Sequence, residues 1–183
     1  MTNLDDLIAD WAEKFRPHPD GALLPAHHPA CLGCGTQNPH GHHLQVRRDG
    51  DGVTARHTFD ARHVGAPGIA HGGAVAAVLD DFYGFLLYLT GGPAVTRNLV
   101  VDYLRPVLLE VEYGLRADIV RTEGRKLFVE ATMSEAASGR PAVTSTAVFV
   151  QVDVAHFDHG RRIIRPRIDA APATPGPAQP DDG

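Results

Sequence analysis

The apolar segment from Ala74 to Leu89 constrains the fold of this chain more than any other feature. Its large side chains recur at helical spacing and fall on one broad side, at about 100° per residue. They are Val75, Val78, Leu79, Phe82, Phe85, Leu86 and Leu89. The opposite side carries a narrow stripe made up of Gly73, Ala77, Asp80 and Gly84. Because a solvated face would carry Lys, Glu and Arg, we expect this second side to be covered as well.

Strand patterns flank the predicted helix on both sides in the sequence. Residues 44–48 and 53–59 run extended around the turn cluster 49–52, which predicts a hairpin. Four more strand patterns follow the helix, at residues 95–104, 111–120, 127–133 and 142–152. Two strands, one helix and four consecutive strands argue against alternating β-α-β units. The order predicts an α+β fold in which a curved antiparallel sheet packs on one long helix.

The two ends of the chain differ from its centre in composition. Residues 2–16 predict a short amphipathic helix, and residues 17–43 are rich in Pro, His and Gly, which predicts a loop-rich lead-in. After residue 153 a basic run passes into Ala, Pro and Asp, which is typical of disorder. We therefore expect an N-terminal region over residues 1–43, one folded domain over 44–153 and a tail over 154–183.

Charge and hydrophobicity exclude several classes of function. A net charge of -5 gives no electrostatic basis for binding nucleic acid. Asp80, Asp81 and Gly84 interrupt the apolar segment, so we expect a core helix rather than a membrane span. The N-terminal residues lack the charged-then-apolar pattern of a signal peptide, and the cytoplasm is the expected location.

A carboxylate and a glycine-rich start occur on the same predicted helix. Adjacent Gly72 and Gly73 cost about 1 kcal/mol each relative to alanine, which indicates a local reason such as close approach of a ligand to free N–H groups. A buried Asp80 is also costly unless something stabilises it. The helix could therefore hold both halves of an acyl-transfer site, although Asp80 could also be a solvated residue. His71 is either a helix cap or a catalytic residue.

Several segments resemble the PaaI-like group of hotdog-fold acyl-CoA thioesterases. They are residues 65–73, which end in His71-Gly72-Gly73, then Leu79-Asp80, Thr96 and residues 102–106. Residues 31–35 and 38–41 also look like a lead-in of some of these proteins, so that the resemblance covers about residues 28–152. It implies a sheet wrapped around a central helix, homodimers or homotetramers, and a pocket between subunits.

The resemblance implies hydrolysis of an acyl-CoA thioester to the free acid and CoA. We expect no cofactor and no metal. Asp80 would be the general base or the nucleophile, and the Gly72 N–H would hold the oxyanion. Thr96 would orient the water or the carboxylate, either within its own chain or across the dimer interface, and His71 would be a further catalytic residue. The implied substrate-binding residues are Gly73, Arg97, Asn98 and Arg105.

One position departs from the family pattern. Several relatives carry Asn or Gln six residues before the histidine, where this chain has Gly65, and Asn98 is a candidate to replace that side chain. The residues that meet the CoA phosphates stay open among Arg97, Arg105, Arg125 and Lys126.

Three alternatives stay open from the sequence. The fold could bind acyl-CoA without turnover, or hydrate and dehydrate an acyl thioester, but the presence of Asp80 and the position of His71 favour hydrolysis. Cys31-x-x-Cys34 could form a four-ligand zinc site or a loop with two reduced thiols. The neighbouring histidines that could complete such a site are His27, His28, His40, His42 and His43.

Overall fold

A computed structural model of the chain describes residue 9 and residues 12–157. Residues 9 and 12–14 are helical, and residues 15 and 16 form a turn and a bend. Residues 2–8, 10 and 11 of the predicted N-terminal helix lie outside the described residues, as does the tail after residue 157. The chain divides into two compact units, residues 1–152 and 153–183. In the second unit, residues 155–157 are helical. The domain boundaries expected from the sequence stay a prediction.

In the described part of the chain, eight strands form two antiparallel sheets. The bounds are β1 (Val46–Asp49), β2 (Gly52–Thr58), β3 (Val64–Ala66), β4 (Ile69–Ala70), β5 (Ala94–Tyr103), β6 (Glu112–Glu123), β7 (Lys126–Glu135) and β8 (Pro141–Gln151). The large sheet has the order β1-β2-β6-β7-β8-β5, and β3 pairs with β4 in a small hairpin. All pairings are antiparallel. The predicted α+β fold is confirmed, whereas β3, β4 and the 3₁₀ turn Ala61–His63 were not predicted.

The central helix packs its apolar side into the sheet. It consists of α1 (Gly72–Gly84) and, after a short irregular turn, α2 (Leu87–Thr90). The buried side chains of α1 include Val75, Val78, Leu79 and Phe82, as the periodicity predicts, and also Tyr83, which was not predicted. The Tyr83 hydroxyl donates to the Ser145 carbonyl oxygen at 2.8 Å, which satisfies its polar end inside the core.

The same helical stretch is long and apolar enough, by length and composition, to cross a membrane. Its interruption by acidic residues therefore does not exclude a membrane span. The packing of the helix distinguishes a core helix from a membrane span better than its acidic residues do, because Val78, Leu79 and Phe82 are fully buried within this chain. Gly72–Thr90 is thus the core helix of the sheet.

Three buried histidines, one of them on β2, form a cluster. The rings of His42 and His63 stack with centroids 4.3 Å apart, and the His57 ring lies 5.3 Å from that of His42. All three are 8% exposed. Burial, together with the positive charge that neighbouring histidines would carry, lowers the pKa of His42 and of His57 to about 4. His42 therefore belongs to this cluster rather than to the cysteine loop.

This cluster predicts that the protein loses stability in mild acid. The pKa of His57 lies near 4 in the folded chain and near 6.5 when unperturbed, so the unfolded chain binds more protons between these values. Stability is full above about pH 6.5 and falls as the pH drops towards 4, by about 2 kcal/mol at pH 5 for each of His42 and His57. Urea unfolding at pH 7.5 and pH 5 measures the effect. His57→Leu should reduce the pH dependence, and the exposed control His40→Leu should not; equal pH dependence in all three proteins would contradict the assignment.

Candidate active site

The start of α1 is fixed by its capping residue. His71 adopts an extended backbone, and its Nδ1 accepts a hydrogen bond from the Gly73 N–H at 2.9 Å. The His71 N–H donates to the His63 carbonyl oxygen at 2.7 Å, which ties the helix start to the 3₁₀ turn. The structure therefore places His71 as a helix cap. The Gly73 N–H, expected to bind substrate, is occupied by this cap.

Gly72 occupies the first helical position and lines a groove. Within residues 12–157, no acceptor takes the Gly72 N–H, while the Gly72 carbonyl accepts from the Tyr103 hydroxyl at 2.6 Å. The groove has a volume of about 410 Å³, and its lining includes Val75, Leu104 and Pro106. Gly72 thus presents a free donor at the positive end of a helix, beside space that suits an apolar group.

Asp80 is held by a threonine of its own chain. The Thr96 hydroxyl donates to Asp80 Oδ1 at 2.8 Å. The second carboxylate oxygen, Oδ2, accepts no hydrogen bond from the described residues. Thr96 precedes a β-bulge: Thr96 pairs with Phe149, and Asn98 pairs with the adjacent Val148. Such a bulge leaves one residue unpaired and re-aims neighbouring side chains. The contact is within one chain, so Thr96 need not reach across an interface.

Gly72 and Asp80 lie too far apart to serve the same carbonyl. They are eight positions apart on α1, which corresponds to about 12 Å along the helix axis at 1.5 Å per residue. An oxyanion donor and a base must both lie within about 3 Å of the reacting group. Helix geometry therefore argues against the expectation that one helix holds both halves of a single site.

The other expected substrate-binding residues are exposed on or beyond β5. Arg97 is the unpaired residue of the bulge, and Asn98 follows it. The Arg105 guanidinium donates to the Pro141 carbonyl oxygen. In the described part of the chain, neither Asn98 nor Arg105 forms a hydrogen bond with Asp80, so the structure does not place Asn98 as a substitute for the missing amide.

The packing around Gly65 explains the departure from the family pattern. A Cβ atom at this position would lie 2.6 Å from the His71 Cα atom, closer than real Cβ contacts occur. An Asn or Gln here would push against the residue that caps α1.

Tyr103 is a polar group at the Gly72 end of the helix that was not predicted from the sequence. The sequence indicated it only as an aromatic residue inside the segment that resembles the thioesterases.

Comparisons with known proteins show which family the central part of the chain resembles. Residues 67–142 match the family model "Thioesterase superfamily". The acyl-coenzyme A thioesterase THEM4 of Rattus norvegicus is 34% identical over 89 residues, which cover 49% of this chain and 38% of that protein. The chain thus spans well under half the length of this curated relative.

Solved structures show the same fold. A thioesterase superfamily protein, RHA08564, is 24% identical with a TM-score of 0.61, covering 79% of this chain and 78% of its own. A hypothetical thioesterase of Streptococcus pneumoniae, solved with coenzyme A, is 18% identical with a TM-score of 0.53, covering 55% and 81%. The PaaI protein of E. coli is 14% identical with a TM-score of 0.56, covering 60% and 80%. The resemblance inferred from the motifs is confirmed: residues 67–142 match the thioesterase superfamily model, and the chain shares the hotdog fold of the solved thioesterases.

Proposed function

We propose that this protein hydrolyses acyl-CoA thioesters, with Asp80 activating the attack and the Gly72 N–H holding the oxyanion. The observation that carries the proposal is the Asp80 carboxylate, fixed at Oδ1 by Thr96, on a helix whose first N–H is free. The related rat protein is an acyl-coenzyme A thioesterase, which supports the same substrate class.

The chemistry needs no Ser-His-Asp triad. A thioester carbonyl is electrophilic and its thiolate is a good leaving group, so one carboxylate and one oxyanion donor suffice. With Asp80 as base, Oδ2 takes a proton from water while the water oxygen attacks the carbonyl carbon. The oxyanion forms at the Gly72 N–H, the C–S bond then breaks, and the CoA thiolate takes the proton. With Asp80 as nucleophile, the same carboxylate attacks the carbonyl directly and the C–S bond breaks, so that the CoA thiolate leaves and a mixed anhydride forms. Water then hydrolyses the anhydride to the free acid and the Asp80 carboxylate, and the proton released from water goes to the thiolate.

The distance between Gly72 and Asp80 favours a site shared by two chains. Each pocket would combine the Gly72 N–H of one chain with the Asp80 carboxylate of a second copy. Strand β5 is suited to join such copies, because it forms an edge of the sheet and its ten residues have one unpaired side. Apolar side chains near this edge are exposed, at 46% for Val100, 49% for Tyr103 and 53% for Leu104. We therefore propose a homodimer, or a tetramer of such dimers, with two pockets per dimer.

A structural neighbour supports the pairing of Asp80 with Thr96. The Streptococcus pneumoniae thioesterase has been crystallised with an aspartate or a threonine replaced by alanine, at positions that differ by 16. Asp80 and Thr96 have the same separation. The spacing fits a helix residue and a strand residue that meet at one carboxylate.

Strand register separates the candidates for the CoA phosphates into two groups. Lys126 pairs with Val150, which pairs with Val95 on β5, so the β6–β7 turn lies at the same end of the sheet as Thr96. Arg97, Arg125 and Lys126 are therefore near Asp80, whereas Arg105 lies at the Gly72 end. We propose that Arg97, Arg125 and Lys126 form the basic surface that binds the CoA phosphates.

A cytoplasmic location stays a prediction.

A panel of acyl-CoA thioesters tests the proposal. We expect release of free thiol from at least one aliphatic or aromatic acyl-CoA, followed with a thiol reagent, and a matching appearance of the free acid. Enoyl-CoA substrates in the same panel detect the hydration alternative through a loss of enoyl absorbance without thiol release. Tight binding of acyl-CoA by the folded protein without thiol release from any member would instead support a binding protein.

A further inference from the structure

Four potential metal ligands meet between the lead-in loop and α1. The side chains are His27, Cys31, Cys34 and Asp81, and their ligand atoms all lie within 4.8 Å of one another. Asp81 Oδ1 lies 3.0 Å from His27 Nδ1, 3.0 Å from Cys31 Sγ and 3.6 Å from Cys34 Sγ. Cys34 Sγ also lies 3.4 Å from His27 Nδ1. These contacts bring together residues up to 54 positions apart in the sequence.

Hydrogen bonding alone accounts poorly for this arrangement. Three groups converge on Asp81 Oδ1, while Asp81 Oδ2 is buried and has no hydrogen-bond partner among the described residues. The His27 Nδ1 atom is shared between the carboxylate and the Cys34 sulfur, although a ring nitrogen holds at most one proton. A carboxylate with only 10% of its side chain exposed is costly without a strong partner. Ligand atoms crowded around one point are what a bound cation would produce.

The loop is shaped to hold both sulfur atoms in place. The Cys31 N–H donates to the His28 carbonyl oxygen at 3.0 Å, and the Gly35 N–H donates to the Cys31 carbonyl oxygen at 3.1 Å. The His27 N–H donates to Cys34 Sγ at 3.3 Å, a contact that favours a thiolate. The two cysteines thus lie on one hydrogen-bonded turn.

Glycines allow this turn to approach the helix closely. A Cβ atom at Gly33 would lie 2.2 Å from Asp81 Cγ, and one at Gly84 would lie 2.7 Å from His27 Cε1. Both glycines therefore face the side chains of the cluster. Gly84 belongs to the small-residue side of α1, so the lead-in covers part of that side.

We infer that His27, Cys31, Cys34 and Asp81 bind one Zn²⁺ ion. Tetrahedral zinc, with bonds of about 2.0 to 2.3 Å, places neighbouring ligand atoms about 3.3 to 3.8 Å apart, close to the distances observed here. Two sulfurs, one imidazole nitrogen and one carboxylate oxygen are all zinc ligands, and thiolates disfavour Mg²⁺ and Ca²⁺. On binding, both thiols release their protons to solvent.

The zinc ion would stabilise the structure and take no part in the hydrolysis. Four protein ligands leave no open coordination position, which is the pattern of structural rather than catalytic zinc. The ion would join the lead-in loop to α1 at the residue that follows Asp80, and so fix the helix that carries the candidate base. A zinc ion bound here would contradict the expectation of no metal. His28, His40 and His43 are exposed, and His42 lies in the separate histidine cluster.

Metal analysis of the full chain, purified without a histidine tag under reducing conditions, tests the site. We expect about one zinc per chain after dialysis against Zn²⁺ and removal of loosely bound ions. Replacement by Co²⁺ should give the visible bands of a tetrahedral ion and a near-ultraviolet thiolate-to-cobalt band. Cys34→Ser and Asp81→Asn should each lose most of the bound metal, and the exposed control His40→Ala should retain it.

The Co²⁺ spectrum of the unmodified chain tests the proposed zinc site even where a variant fails to fold. A cobalt spectrum without a thiolate band, or a folded parent with no stoichiometric metal, would overturn the inference. So would zinc that Cys34→Ser retains in full, because the ion would then be held by surface histidines. Thioesterase activity is not part of this readout, so the inference stands or falls independently of the proposed function.

Discussion

Asp80→Asn is expected to lower kcat/KM for the best acyl-CoA substrate by at least about 100-fold, the usual contribution of a positioned base. Asparagine has nearly the shape of aspartate and can still accept the Thr96 hydrogen bond, but it can neither take a proton from water nor attack the carbonyl. The loss should appear in kcat, because the interaction is needed in the transition state rather than in substrate binding. Thiol-release kinetics together with thermal unfolding separate chemistry from folding.

Asp51→Asn serves as the matched control for Asp80→Asn. Asp51 is an exposed aspartate in the turn between β1 and β2, outside the candidate site. It should keep the activity and the unfolding temperature of the parent. A folded Asp80→Asn protein with parental kcat/KM would remove Asp80 from the mechanism.

Gly72→Pro is expected to lower kcat by about 100-fold, the typical effect of removing one oxyanion donor. Proline deletes the N–H, yet it is well tolerated at the first position of a helix. The preceding residue, His71, already has φ -64° and ψ 131°, a conformation that proline accepts before it. The substitution therefore removes the proposed donor with little change in the helix.

Gly72→Ala controls for the added carbon atom in Gly72→Pro. Its Cβ would lie 3.2 Å from the Tyr103 hydroxyl oxygen, so a small adjustment is needed, but the N–H stays. We expect the alanine variant to be much more active than the proline variant at similar thermal stability. Equal activity of the two variants would show that Gly72 acts through packing and close approach rather than through its N–H.

The architecture could be predicted from the sequence because its main elements carry local periodicity. The helix buries Val75, Val78, Leu79 and Phe82, and the hairpin and the four later strands fall close to the predicted segments. The elements that were missed, β3, β4 and the 3₁₀ turn, have two or three residues each and are too short to show a period. They are stabilised by tertiary hydrogen bonds, such as that from the Ala70 N–H to the Val107 carbonyl oxygen at 2.8 Å.

The candidate site could be predicted only in part. The motif singled out Asp80, Thr96 and Gly72, and the structure joins Asp80 to Thr96 through a bulge that no sequence pattern announced. Whether His71 caps the helix or acts in catalysis depended on the direction of its ring. The contact of Asp81 with the cysteine loop joins residues 47 to 54 positions apart, and neither segment contains a sign of the other.

Subunit complementation tests the shared site most directly. Asp80→Asn and Gly72→Pro chains, each nearly inactive alone, would be mixed, unfolded and refolded together, and their thiol release measured. In a mixed dimer one pocket receives an intact Gly72 from the first chain and an intact Asp80 from the second, so an equal mixture should regain about a quarter of the parental activity. Activity no greater than the sum of the two separate variants, in a mixture shown to contain mixed dimers, would contradict a site built from two chains.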